Sequence, residues 1–304
     1  AYPLHRAASA LRYMSRARHM GKVVLVQPQA TFNDWCHHIV SGGLGYVGAA
    51  VSSQILDNHG ARGVVCLSSS RSKIPSDSKV AVKSVHEKTV VVCDVSDSAE
   101  MQRMVTALSR RHAWGITHAA GTLADGTVSQ LTRHMFEKVY RPKVHGARCL
   151  HTWSQHSEVG YMVLFSSIAS GVGSGGQSNY AAANGALDAC ARRRGVNGMP
   201  GLSVRWGAWS GGGMAVDETM QRMARAGILA LSPEVGVTTL MRLLFHGAPS
   251  PVMTVCPLDR SKLAGDGYFA KISTRQRNTQ QRRRAAVLES DADGGLSAWL
   301  KELG

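Results

Sequence analysis

Short, largely apolar runs without strict polar alternation recur along this chain, with helix-like sequence between them. They are WCHHIV from Trp35, GVVCL from Gly63, TVVVCDV from Thr89, GITHAAG from Gly115, YMVLFSS from Tyr161 and GLSVRW from Gly201. A strand that does not alternate polar and apolar residues has both faces buried. Strands of that kind separated by helices pair in parallel through right-handed crossovers. Between two of them, SAEMQRMVTALSRR sets Met101, Met104, Val105 and Leu108 on one helical face. The pattern predicts an α/β fold, a doubly wound parallel sheet with helices on both faces. With 304 residues, 44% of them hydrophobic, the chain can bury one substantial core.

The first strand-to-helix turn reads SGGLGYVG, in which Gly43, Gly45 and Gly48 fit G-x-G-x-x-G and Gly42 and Leu44 complete the turn. Glycine permits a tight turn and lets bare backbone approach a pyrophosphate at a helix N-terminus, where anions are favoured. The fold is therefore expected to be Rossmann-like. At the end of the second strand an enzyme using NAD commonly carries an acid for the ribose hydroxyls. Here the sequence is CLSSSRSK, with Ser69, Arg71 and Lys73 and no carboxylate. That favours NADPH, with Arg71 a candidate for the 2′-phosphate.

The formal charge of +15 sits on the flanks. Five basic residues and no acid precede Asp34, and eight basic residues against Asp266 alone run from Arg260 to Arg284, whereas 34–259 carry 21 basic and 15 acidic side chains. Without interleaved aromatics, the pattern reads as solvated linker or a contact for an acidic partner rather than for nucleic acid. No apolar run approaches the roughly 18 residues of a membrane span. Cys36, Cys66, Cys93, Cys149, Cys190 and Cys256 form no C-x-x-C pair, and the histidines, His37 and His38 included, show no ligand spacing. The cysteines read as buried thiols in a reducing, cytoplasmic setting and the histidines as core or surface residues, with neither metal nor disulfides.

GQSNYAAAN places Tyr180 thirteen residues after Ser167, which ends the strand YMVLFSS, so a loop can return both side chains to the carboxyl ends of the strands. With the glycine turn, this resembles the short-chain dehydrogenase/reductase family. Most of that family has a lysine four residues after the tyrosine, where this chain has Asn184. The exchange is similar to that in the ketoreductase domains of modular polyketide synthases and animal-type fatty acid synthases, whose lysine lies upstream in a segment like YRPKVHGARCLH. Lys143 fills that slot. CDVSD (93–97), HAAGTLADG (118–126), LFSSIASGVGSGGQSNYAAANGALDA (164–189), WGAWSGGGMA (206–215) and RAGILALSPEVG (225–236) extend the resemblance. Departures are Ser41 where threonine is usual, Ser69 where an arginine is usual, and a stretch from Arg71 to Lys88 that is short for a second helix.

The resemblance implies NADPH-dependent reduction of a β-ketoacyl thioester carried by the phosphopantetheine arm of an acyl carrier protein. Tyr180 would be the general acid, its phenol lowered by the Lys143 ammonium; Ser167 a second donor to the ketone oxygen; Asn184 a holder of the lysine or of a relay water. Asp94 and Val95 would contact the adenine, and Ala120 and Gly121 would border the cofactor. Asp125 and Asn179 would guide the substrate arm. Leu123-Ala124-Asp125 keeps the last acid of an L-D-D motif, and Val172 stands where the opposite class has tryptophan, which implies a D-configured 3-hydroxy product. A cofactor-free structural pseudo-ketoreductase and a free-standing reductase of small ketones remain alternatives.

Residues 31–264 are expected to form the ketoreductase domain. In 1–30, Ala8, Leu11, Met14 and Ala17 recur at helical spacing before KVVLV, and AYPLHRAASALRYMSRARHMGKVVLV resembles the C-terminal tail of an enoylreductase domain. Its composition alone also fits a mitochondrial transit peptide. Residues 265–304 read as a basic linker toward the carrier protein, with Arg275–Arg284 keeping that acidic partner close.

Overall fold

The computed structural model of the chain describes residues 2–3, 7–16, 25–26, 37–59, 61, 63–70, 88–108, 114–214, 217–259 and 261–262. Near the N-terminus, β1 (Tyr2–Pro3) pairs in parallel with β2 (Leu25–Val26), and α1 (Ala7–Ser15) lies between them in sequence. The main sheet contains β3 (His37–Ser41), β4 (Gly63–Ser68), β5 (Lys88–Val92), β6 (Trp114–His118), β7 (Val159–Ser167), β8 (Leu202–Trp206) and β9 (Val252–Val255). Its order is β5-β4-β3-β6-β7-β8-β9, and every pair is parallel. From β3 the chain winds outward to β5 and then returns to β6 on the other side. That reversal opens a crevice at the carboxyl ends of β3 and β6, the place where sheets of this type bind ligands.

All six strands expected from the sequence form, and β9 is added. Burial on both faces accounts for the mainly apolar character of the inner strands such as β3 and β4, whereas β5, at the sheet edge, buries only Val90. In β7, Tyr161, Val163 and Phe165 join a core with Val51 and Ile55 of α2 (Tyr46–His59) and Val237, Leu240 and Leu244 of α9 (Pro233–Phe245). Met162 and Leu164 face the other way, toward Met101, Met104 and Leu108 of α3 (Ser98–Leu108), Leu150 of α5 (Gly146–Ser154) and Leu187 and Ala191 of α7 (Ser178–Val196). The period of two along the strand thus divides the core into two layers.

Thr132 caps α4 (Arg133–Tyr140), its side chain accepting from the Met135 N–H. α4 continues through a π-helical turn, Arg141–His145, directly into α5. The short α6 (Ala169–Val172) leads from β7 to α7. Glu218–Leu229 and the described residues from Leu258 onward form a separate unit, in which most of α8 (Asp217–Arg225) is followed by Gly227 at φ 78° and Ile228 bridges Leu258. Among the described residues no helix is long and apolar enough to cross a membrane, and no group of His, Cys, Asp and Glu could hold a metal ion. The described cysteines are free, and burial pushes the Cys93 thiol up to about 12, which makes it inert.

Candidate active site

The glycine turn bends sharply out of β3. Gly42 adopts φ 68°, in the left-handed region, and its carbonyl accepts from the Gly45 N–H at 2.8 Å. A Cβ on Gly48 would collide with the Gly42 carbonyl oxygen, so the start of α2 can pack this closely only on glycine. Beside the turn lies a cleft of about 480 Å³. Of the expected cofactor residues, Gly42, Leu44, Gly45, Gly48, Ser69, Asp94, Val95, Ala120 and Gly121 line it. Gly43 instead faces Cys66, which a Cβ would approach to 2.7 Å. Arg71 and Lys73 lie outside the described residues. The end of β4 offers the hydroxyls of Ser68, Ser69 and Ser70.

Lys138, Arg141, Tyr46 and Met214 also line the cleft, although the sequence did not single them out. Arg141 stands two residues before Lys143 in the same helical run, the one available signal. Its guanidinium is 4.0 Å from Asp94 Oδ2. The loop carrying Asp94 is fixed from within: Asp94 Oδ1 accepts from Ser96 N and Oγ at 2.9 and 2.7 Å, and the Asp94 N–H donates to Glu100 Oε2 at 2.7 Å.

Next to Gly121, where a Cβ would come within 3.1 Å of Lys143 Cε, three elements bring the four expected catalytic residues together. β7 ends on Ser167, whose Oγ accepts from the Ala169 N–H. The first turns of α7 carry Tyr180 and Asn184, and the π turn delivers Lys143, only 3% exposed. The Lys143 ammonium donates to the Phe165 carbonyl at 3.0 Å and stands 5.2 Å from the centre of the Tyr180 ring. Asn184 Nδ2 donates to the Tyr180 carbonyl at 2.8 Å, while its fully buried Oδ1 has no hydrogen-bond partner. An orphaned buried acceptor is costly, and it marks a position ready for a donor from water, cofactor or Lys143.

Burial governs both titrating groups. It pushes the Tyr180 phenol up, against hydrogen bonds from Asn184 and Ser167 that pull it down. The expectation of a phenol depressed by lysine is not met, because removal from water outweighs those hydrogen bonds. Burial also pushes Lys143 down to about 8, opposed by the charge of Asp188.

Asp188, missed by sequence reasoning, is fully buried. It accepts from Ser203 Oγ at 2.6 Å and from Arg205 Nε at 2.7 Å. Ser170 Oγ lies 2.7 Å from Asp188 Oδ2 and 2.9 Å from the Ser167 carbonyl, so this ion pair braces the turn that presents Ser167. Asn179 accepts from the Tyr180 N–H and donates to the Ala124 carbonyl, both at 2.8 Å. Asp125 is exposed, and its Oδ2 accepts from Gln177 Nε2 at 2.8 Å. Both residues therefore tie the 124–126 loop to the start of α7.

A family model described as KR domain matches residues 36–211. The chain belongs to the ketoreductase-domain family. It is 35% identical, over 96% of its length, to phenolphthiocerol synthesis polyketide synthase type I Pks15/1 of Mycobacterium marinum, of which it covers 14%. Over 84% of its length it is 35% identical to the putative inactive phenolphthiocerol synthesis polyketide synthase type I Pks1 of Mycobacterium tuberculosis, of which it covers 16%. The structure of A-type ketoreductases from a modular polyketide synthase superposes with a TM-score of 0.70 at 29% identity, covering 81% of this chain and 52% of that one. The sheet order and helical layers are those of the Rossmann-like short-chain dehydrogenase/reductase fold.

Ketoreductase domains of this superfamily use nicotinamide cofactors, and the glycine cradle fits a pyrophosphate. Gly48→Ala forces a Cβ into the Gly42 carbonyl, at a strain of about 1–3 kcal/mol. The expected result is nicotinamide nucleotide binding weakened about tenfold or more, read by fluorescence titration. Unchanged affinity would mean that the cofactor does not rest on this turn.

Proposed function

We propose that this ketoreductase domain reduces a β-ketoacyl thioester, carried on acyl carrier protein, to the 3-hydroxyacyl thioester with NADPH, within a polyketide or fatty acid synthase. The observation that carries the reading is the meeting of Ser167, Tyr180, Asn184 and the Lys143 ammonium, from β7, α7 and the π turn, beside the Gly121 edge of the cleft. Serine-lined β4 and the basic Lys138 and Arg141 support NADPH over NADH, because among the described residues no carboxylate at the end of β4 repels a 2′-phosphate.

The Gly42–Gly48 turn with Asp94, Val95, Ala120 and Gly121 would hold NADPH, which would supply the hydride. Ser167 donates a hydrogen bond to the ketone oxygen and stabilises the charge gathering there. Tyr180 hands its proton to that oxygen as it becomes an alkoxide. The raised phenol suits an acid that stays protonated until the oxygen is basic enough to take the proton. The Lys143 ammonium, over the ring, favours the phenolate left behind. By resemblance it also bonds the nicotinamide ribose. Asn184 Oδ1 offers an acceptor to the water that reloads the phenol. Asp125 and Asn179 shape the loop past which the thioester arm enters. The first 30 residues then belong to a preceding enoylreductase domain, and 265–304 lead to the carrier protein.

The test is turnover of a β-ketobutyryl thioester of N-acetylcysteamine. NADPH should be oxidised, NADH at least about tenfold less efficiently, a discrimination of about 1.4 kcal/mol or more. Chiral chromatography should find the D-3-hydroxy product. Predominance of the L alcohol would overturn the guiding role of Asp125. Absence of both turnover and NADPH-induced thermal stabilisation would favour a structural, cofactor-free domain.

A further inference from the structure

Lys143 is held at both ends. Its ammonium is fixed by the Phe165 carbonyl, and its backbone lies in the π turn, where the regular ladder is broken. The Gly146 N–H is divided between the carbonyls of Arg141 and Lys143. The second partner of the Lys143 carbonyl is His118 Nε2, at 2.8 Å, from the last position of β6.

His118 is fully buried, and its other nitrogen, Nδ1, is 2.6 Å from Ser41 Oγ at the end of β3. A carbonyl oxygen only accepts, so Nε2 carries the proton. Nδ1 is then the acceptor, and the Ser41 hydroxyl donates to it. The ring reaches the turn because residue 146 is glycine: a Cβ there would come within 2.8 Å of both His118 Cε1 and Val95 Cγ1. Burial, with the nearby Lys143 charge, pushes His118 down to about 4, so the imidazole stays neutral and the tautomer stays fixed.

We propose that His118 is a positioning residue for Lys143: with Ser41 behind it and Gly146 giving it room, the imidazole holds the π turn that aims the ammonium at Tyr180. A core histidine needs only some acceptor. This one spends its N–H on the carbonyl of the residue whose side chain enters the site, 25 positions away in sequence. The inference rests on the role proposed above for Lys143.

Two readouts test it on the full chain. The first is competitive acetylation of amines across pH, read by mass spectrometry, with exposed Lys138 on α4 as internal reference. The titratable groups facing Lys143 are His118 from β6 and Tyr180 and Asp188 from α7. The wild-type Lys143 midpoint should lie near 8. In His118→Leu the loosened turn lets the amine reach water, so its midpoint should rise by about one pH unit or more while that of Lys138 stays put. The second readout is kcat/KM with the thioester, which should fall about 100-fold in His118→Leu. His118→Gln, which keeps an N–H at similar reach, should restore most of both.

An unchanged Lys143 midpoint in His118→Leu would overturn the proposal. So would parallel shifts of Lys143 and Lys138, or a glutamine variant as damaged as the leucine variant. If His118→Leu fails to fold, Ser41→Ala removes the hydroxyl that fixes the tautomer. It should move the midpoint the same way by less, and no movement would overturn the proposal. Failure of the proposed reaction shows separately, as a wild-type chain with the labelling midpoint near 8 and no NADPH oxidation.

Discussion

Tyr180→Phe is expected to lower kcat about 100- to 10,000-fold while cofactor affinity stays nearly unchanged. The substitution removes one oxygen and little else. The phenyl ring still lies 5.2 Å beneath the Lys143 ammonium, and the backbone still accepts from Asn184 and donates to Asn179. What is lost is the proton that neutralises the alkoxide. Ser167, Asn184 and Lys143 would remain in place around the gap, so any residual rate measures what hydrogen bonding and positioning achieve alone. Stopped-flow measurement of NADPH consumption gives kcat, and fluorescence titration gives affinity. Retention of more than a tenth of the activity would remove Tyr180 from the role of general acid.

Lys143→Met keeps the buried aliphatic volume and deletes the charge. We expect kcat/KM to fall about 100- to 1,000-fold, as for loss of a stabilising donor in a dry site. NADPH binding should weaken about tenfold or more, on the proposal that Lys143 also bonds the ribose. The wild-type pH profile carries a matching signature. The ammonium is the acidic form, with a pKa pushed down to about 8, so it is present below that pH and lost above it. Reduction should therefore slow as pH rises through about 8. The phenol, raised above its ordinary value near 10, loses its proton only at higher pH. In Lys143→Met the fall near 8 should vanish. A profile still bending there would assign it to another group.

The sequence disclosed the sheet because strands buried on both faces are mainly apolar and do not alternate, and it disclosed the glycine turn because only glycine fits there. Spacing placed Ser167, Tyr180 and Asn184 at one strand end and on two successive helical turns, while the roles expected of them came from the family resemblance. Other parts have no one-dimensional signature. The VMTV strand β9 is too short to stand out after SPEVGVTTLMRLLF. The Asp188–Arg205 pair and the His118 contact join residues whose nearness depends on how α7, β8, β6 and β3 stack. The direction of the Tyr180 shift depends on depth of burial, which spacing does not encode. Lys138 and Arg141 belong to no motif of their own, and only the course of the helix along the cleft brings them to it. Arg71 and the flanks assigned to neighbouring domains, apart from their short described elements, lie outside the described residues.

The helix that delivers Lys143 is one rod with two rotational phases. Upstream of the π turn, α4 packs on α7; downstream, α5 packs on α3 and β6. A π turn absorbs one extra residue, a step that in an uninterrupted helix would swing every following side chain by about 100°. The two halves therefore answer to different neighbours and can drift independently under mutation. At such a joint one added residue re-aims a side chain locally, and the packing of α4 on α7 and of α5 on α3 and β6 need not change.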